Sequence, residues 1–527
     1  AEAVAAGGMA LVLGALRAHP GSAEVEEHGL AALRVLADAD EESFAAAASP
    51  DAVALLLEGL RRHPAATRVQ AFAVAALCLV LCDCETTECA EAFILRGGPA
   101  SVLHALRNQH SSALLQECGW ALLRAVGLQL PQSREMFVEL QGLEALVEAM
   151  RVHKELERVQ IFGCALLHDV AASAEANRAR IAPLGGVEVA LRALRAFPDA
   201  LPVQECGLAA VQGMTFYSPD NARAVAGAGG VELVLAAMRR HGGSEEVQSQ
   251  GCLALRNVIR GDGEVGERAW ASDGARSVAA ALRGHPGSAA VQEFGLTVLH
   301  LWAQARAEQV AACGALELAR SGLVDHVQSA GVSLAACRLL QALARDGGGD
   351  VRRQMVGFGL VERLALAMRG HGSEAPLQAA ACGALAGLLR AHGADAEEAE
   401  SAEEVELVLG SMEGRAMDLR LATVLRCLAS RSSSVPLRVL AYGGLGMILR
   451  ALEAHSTSEE VQGKALCALQ RLAARSAAAR VRLGAAGVRP VLQAMQLHLA
   501  APEVQEHAAA ALAAVACSDP AARAAFG

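Results

Sequence analysis

Residues 229–259 read GGVELVLAAMRRHGGSEEVQSQGCLALRNVI, and variants of this stretch recur along the whole chain. Apolar residues lie three and four positions apart in two segments of the stretch, which is the spacing of an amphipathic helix. They are Val231, Val234, Leu235 and Met238 in the first segment, and Val247, Cys252, Leu255 and Val258 in the second. Glycines precede both segments and separate them. The stretch therefore predicts two helices joined by a short polar link.

The Val-Gln position near the start of the later helix gives the period of the repeat. It falls at Val25, Val69, Leu115, Val159, Val203, Val247 and Val291, with steps of 44, 46, 44, 44, 44 and 44 residues. The series continues at Val327, Leu377, Leu419, Val461 and Val504, with steps of 36, 50, 42, 42 and 43 residues. A fixed period of this size is the signature of a repeat architecture, so the sequence predicts twelve repeats.

A shorter helical segment precedes the glycine pair, for example at Asn177–Ala182 and Asn221–Ala226. Three helices in 42 to 44 residues resemble the armadillo repeat, and the resemblance covers essentially the whole chain. Its most specific parts are AGAGGVE at 226–232 and the VQ-x-x-G-x-x-A-L-R-N pattern at 247–257. It is nearest to the Gly-containing type seen in many protist repeat proteins and in the N-terminal region of some leucine-rich-repeat kinases. The resemblance implies an all-α, armadillo-type α-solenoid with a right-handed superhelix of about twelve three-helix repeats.

The composition agrees with an all-α protein, because hydrophobic residues reach 53% while aromatic residues reach only 3%. A formal net charge of -11 argues against a nucleic-acid partner. No uninterrupted apolar run is long enough for a membrane span. The fourteen cysteines fall mostly at apolar helix positions, which predicts reduced thiols and an intracellular, cytoplasmic location.

The repeats divide the chain into three parts. Residues 1–390 are predicted as regular armadillo repeats and 405–527 as less regular C-terminal ones, separated by the acidic irregular segment 391–404. That segment is either a solvated first helix or an exposed loop. Neither end of the sequence resembles the polar caps that solenoids need, so we expect a longer polypeptide or a partner that covers the ends.

Glycine recurs within the third helix of the repeat, where it costs about 1 kcal/mol relative to alanine and so indicates close helix packing. The positions are Gly29, Gly119, Gly163, Gly207, Gly251, Gly295 and Gly331, with alanine at Ala73, Ala381, Ala465 and Ala508. The three tryptophans, Trp120, Trp270 and Trp302, align with apolar residues of other repeats and are predicted to be core residues.

Histidine recurs after the second helix, which raises the possibility of a metal array. The positions are His19, His63, His110, His153, His241, His285 and His371. Packed helices lie about 8 to 10 Å apart, so equivalent histidines in neighbouring repeats cannot share a zinc ion. These histidines and the arginines before them are expected instead to complement the helix dipole and to satisfy the last carbonyls of their own helix.

A denser cysteine cluster comprises Cys78, Cys82, Cys84 and Cys89. Its C-x3-C-x-C-x4-C spacing matches no common zinc site, so we expect free thiols, with a structural or redox-sensitive cluster as the alternative. No catalytic Ser-His-Asp set, P-loop or dinucleotide fingerprint is present, and no catalytic residue, metal or cofactor is predicted.

The resemblance implies that third helices line a concave groove. In the importin-α type, a ladder of Trp and Asn residues in that groove clamps a peptide backbone, but only Asn257 matches the Asn position here. We therefore do not expect this chain to share the cargo-binding function of the importin-α type. Polar residues nevertheless form two rows, an acidic one near the helix start and a partly basic one near its end. The predicted partner-binding groove comprises Glu117, Arg124, His168, Asp169, Glu205, Gln212, Arg256, Asn257, Glu293 and His300.

These features predict a non-enzymatic scaffold that binds a protein partner along the groove. A merely solvated face is the alternative for the two polar rows. Two alternatives remain for the protein as a whole. It is either the regulatory repeat region of a larger multidomain enzyme such as a kinase, or a structural subunit of a large assembly.

Overall fold

The computed structural model describes residues 8–37, 44–45, 47–83, 86–261, 263–390, 419–429, 439–441 and 443–516, in which the regular elements are α-helices. The chain divides into two compact halves, Ala1–Gly274 and Ala275–Gly527. The acidic segment 391–404 lies outside the described residues, so the three-part division around it stays a prediction. No helix in the described ranges is both long and apolar enough to cross a lipid bilayer.

The helices of the N-terminal half begin and end as follows: α1 Gly8–Ala18, α2 Ala23–Ala37, α3 Pro50–Arg62, α4 Thr67–Asp83, α5 Glu88–Leu95, α6 Gly98–Asn108, α7 Ala113–Gln129, α8 Ser133–Glu139, α9 Gly142–Val152, α10 Glu157–Ser173, α11 Glu175–Leu184, α12 Gly186–Ala196, α13 Leu201–Thr215, α14 Pro219–Gly227, α15 Gly230–Arg240, α16 Glu245–Gly261 and α17 Gly263–Ala271.

The helices that follow are α18 Gly274–Gly284, α19 Ala289–Ala312, α20 Ala315–Asp325, α21 Ala330–Asp346, α22 Gly349–Gly357, α23 Leu360–Gly370, α24 Ala375–Arg390, α25 Leu419–Ala429, α26 Gly444–Ala454, α27 Glu459–Arg475, α28 Ala477–Ala486, α29 Val488–Leu497 and α30 Pro502–Ala516. Helix α19 joins a third helix to the next first helix across a kink at Arg306.

These helices repeat as a short first helix, an 11-residue second helix and a longer third helix, as in α14, α15 and α16. Consecutive third helices pack against one another within each half. This is the three-helix unit of an armadillo-type α-solenoid, so the predicted fold class is confirmed. Twelve third helices occur in the described ranges, in agreement with the predicted number of repeats.

The glycine pair before the second helix has two separate roles. Gly229 adopts the left-handed conformation, with φ +76°, that turns the chain from α14 into α15. A Cβ atom on Gly230 would lie 2.4 Å from Cγ1 of Val225 in the first helix. The first glycine therefore permits the turn, and the second permits the first and second helices to meet closely.

A buried glutamine joins the third helix to the second, and it explains the Val-Gln period. The Nε2 atom of Gln248 donates to the carbonyls of Met238 at 2.8 Å and His241 at 3.0 Å, at the end of α15. The last carbonyls of a helix have no partner within it, so the amide satisfies the Met238 carbonyl and shares the His241 carbonyl with the backbone N–H of Ser244. The same pair of bonds is made by Gln70, Gln160, Gln204, Gln292, Gln378, Gln462 and Gln505. We call this contact the glutamine clamp.

The recurrent third-helix glycine lies one turn after the clamp glutamine, where the second helix packs closely against the third. A Cβ atom on Gly251 would lie 2.6 Å from Cγ of Met238, the residue whose carbonyl Gln248 binds. The predicted close approach of helices is therefore confirmed. Clamps also form where alanine replaces the glycine, as at Ala73 beside Gln70, so the contact tolerates one methyl group.

One assignment of the repeat register is wrong. Val327 is 49% exposed and lies before α21, whereas Val332 is fully buried at the third position of that helix. The repeat steps of 36 and 50 residues become 332 − 291 = 41 and 377 − 332 = 45. Gly331 then belongs to the start of the helix, and buried Ala336 takes the packing position. The sequence contains a Val-Gln dipeptide at 327, whereas at the true position Val332 is followed by Ser333 in place of the clamp glutamine. The pattern therefore pointed to the wrong valine.

Several histidines and arginines at the end of the second helix bind neighbouring repeats, whereas we expected them to satisfy carbonyls of their own helix. His241 donates from Nε2 to the carbonyl of Pro198 in the preceding repeat at 2.8 Å. Arg151 donates to the carbonyl of Leu184 in the following repeat at 3.1 Å. Equivalent backward bonds are made by His63, His326, His371 and His498, and forward bonds by Arg61, Arg107, Arg239 and Arg283.

The tryptophan prediction is confirmed for two residues and wrong for the third. Trp120 is fully buried and Trp302 is 4% exposed, whereas Trp270 at the end of α17 is half-buried. The Trp120 indole also donates to Oε1 of Gln116 at 3.1 Å, and Gln116 makes one bond of the clamp pair, to the Leu106 carbonyl at 2.9 Å.

The glutamine clamp predicts a specific loss of stability. Gln248→Leu keeps the side-chain size but leaves the Met238 and His241 carbonyls without this donor, which should lower the free energy of unfolding by about 1 to 3 kcal/mol. Gln250→Leu in the same helix is the control, because Gln250 bonds only an exposed glutamate one turn away. Chemical denaturation followed by circular dichroism measures both variants, and equal losses would contradict the role of the clamp.

Candidate functional site

The ten residues predicted for the partner-binding groove all lie on third helices and are all half-buried. Eight of them belong to the N-terminal half, whereas Glu293 and His300 belong to the C-terminal half. We call the eight in the N-terminal half the third-helix face. Most of their polar atoms contact the adjacent repeat, which the sequence alone did not indicate.

An ion pair joins the third helices α7 and α10. Arg124 Nε lies 3.3 Å from Asp169 Oδ2, with the two side chains 34% and 13% exposed. The pair is open to solvent on one side, and the interaction energy is correspondingly small, on the order of 1 kcal/mol. Its main effect is to fix the direction of both side chains.

A second contact joins α10 to α13. The His168 ring lies with Nδ1 2.9 Å from the carbonyl oxygen of Ala209, to which it donates. The absence of a side chain at Gly213 makes the contact possible, since a Cβ atom there would lie 2.8 Å from the same nitrogen. His168 is thereby held on the third-helix face.

Asn257, which matches the peptide-clamping position of importin-α, binds its own neighbour instead. Its Nδ2 donates to the carbonyl of Gln212 at 3.1 Å, and its Oδ1 accepts from Arg256 at 3.0 Å. Helix α13 ends at Thr215, so the Gln212 carbonyl is one of the helix's terminal acceptors. The Asn257 side-chain amide therefore makes its hydrogen bonds within the protein.

The acidic row also bridges repeats. Glu117 lies 3.7 Å from Arg158 of the next third helix, and Glu205 accepts a hydrogen bond of 2.9 Å from Ser244. In the C-terminal half, the Glu293 carboxylate lies against Gly331, where a Cβ atom would be 2.0 Å from Oε2. The row thus lies at the junctions between consecutive third helices.

His300 in the C-terminal half is the most perturbed residue of the predicted set. Burial, and then the charge of Arg338, lower its pKa from 6.5 to about 4. The ring is therefore neutral at physiological pH, and we do not expect it to act as a cation toward a partner.

The cysteine cluster differs from its predicted membership. Cys78 and Cys82 lie together, with their sulfurs 3.7 Å apart, whereas Cys89 is buried in α5 and Cys84 lies outside the described residues. Cys118 of the next third helix joins the cluster instead, because the Cys78 thiol donates to it and lowers the pKa of Cys118. Forty residues separate this pair in sequence, so spacing could not reveal it. No group of residues in the described ranges has the arrangement of a metal site.

Sequence reasoning also missed a pocket in the N-terminal half. A cavity of about 210 Å³ lies between the turn that follows α13 and the end of α16, and Phe216, Tyr217 and Arg260 line it beside Arg256 and Asn257. The signal in the sequence was the proline at 219, which ends the repeat's third helix early.

Comparison with known proteins agrees with the geometry. Residues 7–221 match the family model described as LRRK2 ARM repeat. No curated protein sequence matches the chain. The crystal structure of an engineered protein is 20% identical with a TM-score of 0.59, covering 89% of this chain and 99% of that one. A structure described as "A conserved phosphorylation switch controls the interaction between cadherin and beta-catenin in vitro and in vivo" is 13% identical with a TM-score of 0.68, covering 96% and 99%. At these identities the two structures show a shared fold.

The thiols should differ in reactivity according to their pKa values. Iodoacetamide should label Cys118 faster than Cys206, whereas burial raises the pKa of Cys252 and Cys337 to about 12 and should protect both until the chain unfolds. Cys206 is the matched control, since it is also half-buried near the start of a third helix, but burial raises its pKa. Peptide mass spectrometry reads the labelling, and equal rates at Cys118 and Cys206 would contradict the assignment.

The low pKa of His300 predicts a pH dependence of stability. Between pH 6.5 and about 4 the unfolded chain binds a proton at this residue and the folded chain does not, so stability falls as the solution is acidified. His300→Asn should remove up to about 3 kcal/mol of that decline. His326→Asn is the control, since that ring donates to the Pro286 carbonyl. Chemical denaturation at several pH values between 6.5 and 4 measures the free energy of unfolding of each variant. Parallel curves of stability against pH for the wild type and His300→Asn would refute the prediction.

Proposed function

Since the chain is an armadillo-repeat protein, we propose that it is a non-enzymatic scaffold that binds a protein partner along the third-helix face. The fold is typical of protein-interaction scaffolds. The observation that carries the proposal is that half-buried polar side chains of this face are fixed by contacts to an adjacent repeat. A surface fixed before binding loses little conformational entropy when the partner docks, which favours affinity.

The partner proposed here is a protein. The formal net charge of -11 argues against a nucleic acid, and the proposed mechanism requires no cofactor. We also propose a reducing, cytoplasmic location, supported by the use of Cys164, Cys252 and Cys337 as fully buried packing residues.

A second proposal concerns the protein as a whole. The match of residues 7–221 to the LRRK2 ARM repeat model supports a regulatory repeat region within a larger protein. Mass spectrometry of the native polypeptide tests it, since a native chain no longer than the 527 residues would refute it.

An inverted ion pair tests the third-helix face. Arg124→Asp alone places two carboxylates together and should reduce stability, whereas adding Asp169→Arg should restore both the pair and the stability. Binding should not be restored, because the charges offered to a partner are inverted. The measurement is quantitative mass spectrometry of proteins captured from native extract by each immobilised variant.

The control inverts a pair on another surface. Arg240 and Asp199 also join neighbouring repeats, but Arg240 ends the second helix α15 and Asp199 lies in the turn after the second helix α12. Arg240→Asp with Asp199→Arg should therefore leave capture unchanged. If the inverted Arg124 and Asp169 pair captures the same proteins as the wild type, the third-helix face does not bind them.

A further inference from the structure

The turn after α13 differs from the corresponding part of the preceding repeat. Helix α13 has 15 residues, whereas the third helix before it has 17. Ser218 precedes a proline and is extended, with φ −127° and ψ 91°, because the proline ring disfavours the helical region for the residue before it. The chain therefore leaves the helix early and projects Phe216 and Tyr217 outward.

Tyr217 occupies a conformation that the repeat does not require. Its φ is +47°, and the other described non-glycine residues with positive φ, Gln141 and Asp273, occupy the turn before the second helix where glycine usually stands. A left-handed tyrosine costs about 1 to 2 kcal/mol, and this one is also 71% exposed. Strain at an exposed aromatic residue is typical of a binding site.

The turn is held firmly in spite of its exposure. Arg178 of the preceding repeat is 9% exposed, donates to the carbonyl of Phe216 at 2.9 Å and lies 5.5 Å from the centre of its ring. The Phe216 and Tyr217 rings meet edge to face, with centres 4.6 Å apart and planes at 81°. The two rings therefore form a rigid wall.

Two cationic side chains also line the pocket. Arg260 of α16 lies 5.8 Å from the centre of the Tyr217 ring, and Arg256 lies one turn earlier. No carboxylate is among the residues that line the cavity of about 210 Å³. A guanidinium stacked on a ring directs its N–H groups in its own plane, where they can bind a carboxylate edge-on. A local positive pocket in a chain of net charge -11 selects an anionic group.

We propose that this pocket binds an acidic peptide segment of a partner protein. One aromatic side chain of the peptide packs against Phe216 and Tyr217, and a neighbouring carboxylate pairs with Arg260. The proposal rests on the scaffold function, for which it names an anchoring point and the chemistry of the partner.

The probe is a fluorescein-labelled peptide with the sequence Gly-Ser-Glu-Phe-Glu-Ser-Gly, titrated with the full chain and followed by anisotropy. Two further peptides replace Phe by Gly, or both Glu by Gln. Tyr217→Gly removes the ring at a conformation that glycine adopts without strain, and Arg260→Ala removes the cation. Arg195→Ala, an exposed arginine on the second helix of the preceding repeat, is the matched control.

Each loss of ring or charge, on the protein or on the peptide, should raise the Kd by about tenfold, and Arg195→Ala should leave it unchanged. The proposal is overturned if the wild type does not bind the probe, if Tyr217→Gly and Arg260→Ala bind as the wild type does, or if the Gln peptide binds equally. A peptide that binds only with phosphoserine in place of Glu would also overturn it.

These results separate the pocket from the scaffold function. If the peptide does not bind while the variant with the inverted Arg124 and Asp169 pair no longer captures the proteins, the pocket proposal is refuted and the proposed binding by the third-helix face is supported. If the peptide binds as expected while the inversion leaves protein capture unchanged, the pocket proposal is supported and binding by the third-helix face is refuted.

Discussion

One side-chain amide in most repeats connects the end of the second helix to the third. The final turns of a helix leave carbonyls without partners, and burying them unpaired would oppose packing. Gln248 supplies donors to two carbonyls at the end of the second helix, and Gly251 leaves room for the Met238 side chain against the third helix. Bonds such as the backward one of His241 and the forward one of Arg151 then connect clamped repeats to their neighbours.

The contacts between repeats limit which polar side chains of the third-helix face can bind a partner. Arg124, His168 and Asn257 all make contacts to an adjacent third helix, so they are both part of the fold and part of the proposed binding face. Asn257 shows the difference from a peptide-clamping armadillo protein most clearly. The residue type is kept, but its amide is directed at Gln212. Binding to such a face depends on shape and on charges at fixed places.

The sequence predicts those features that each repeat carries within itself. The helices, the period and the packing role of Gly251 follow from local patterns. Contacts between repeats do not, because the partner of His241 or Cys118 lies about 40 residues away and no spacing rule identifies it. The register error at Val327 has a local cause, since a loop there copies the Val-Gln dipeptide while Ser333 stands in the true clamp position. Tyr217 was missed because its importance comes from backbone conformation.

The central claim is that the glutamine clamp makes the second and third helices of a repeat one cooperative unit. Hydrogen exchange of the native protein at increasing denaturant concentration, resolved by peptide mass spectrometry, tests it most directly on α15 and α16. Their amides should approach one common free energy of opening, since neither helix can leave without breaking the bonds of Gln248. Clearly separate opening energies for the two helices, with α15 exchanging while α16 stays protected, would contradict the account.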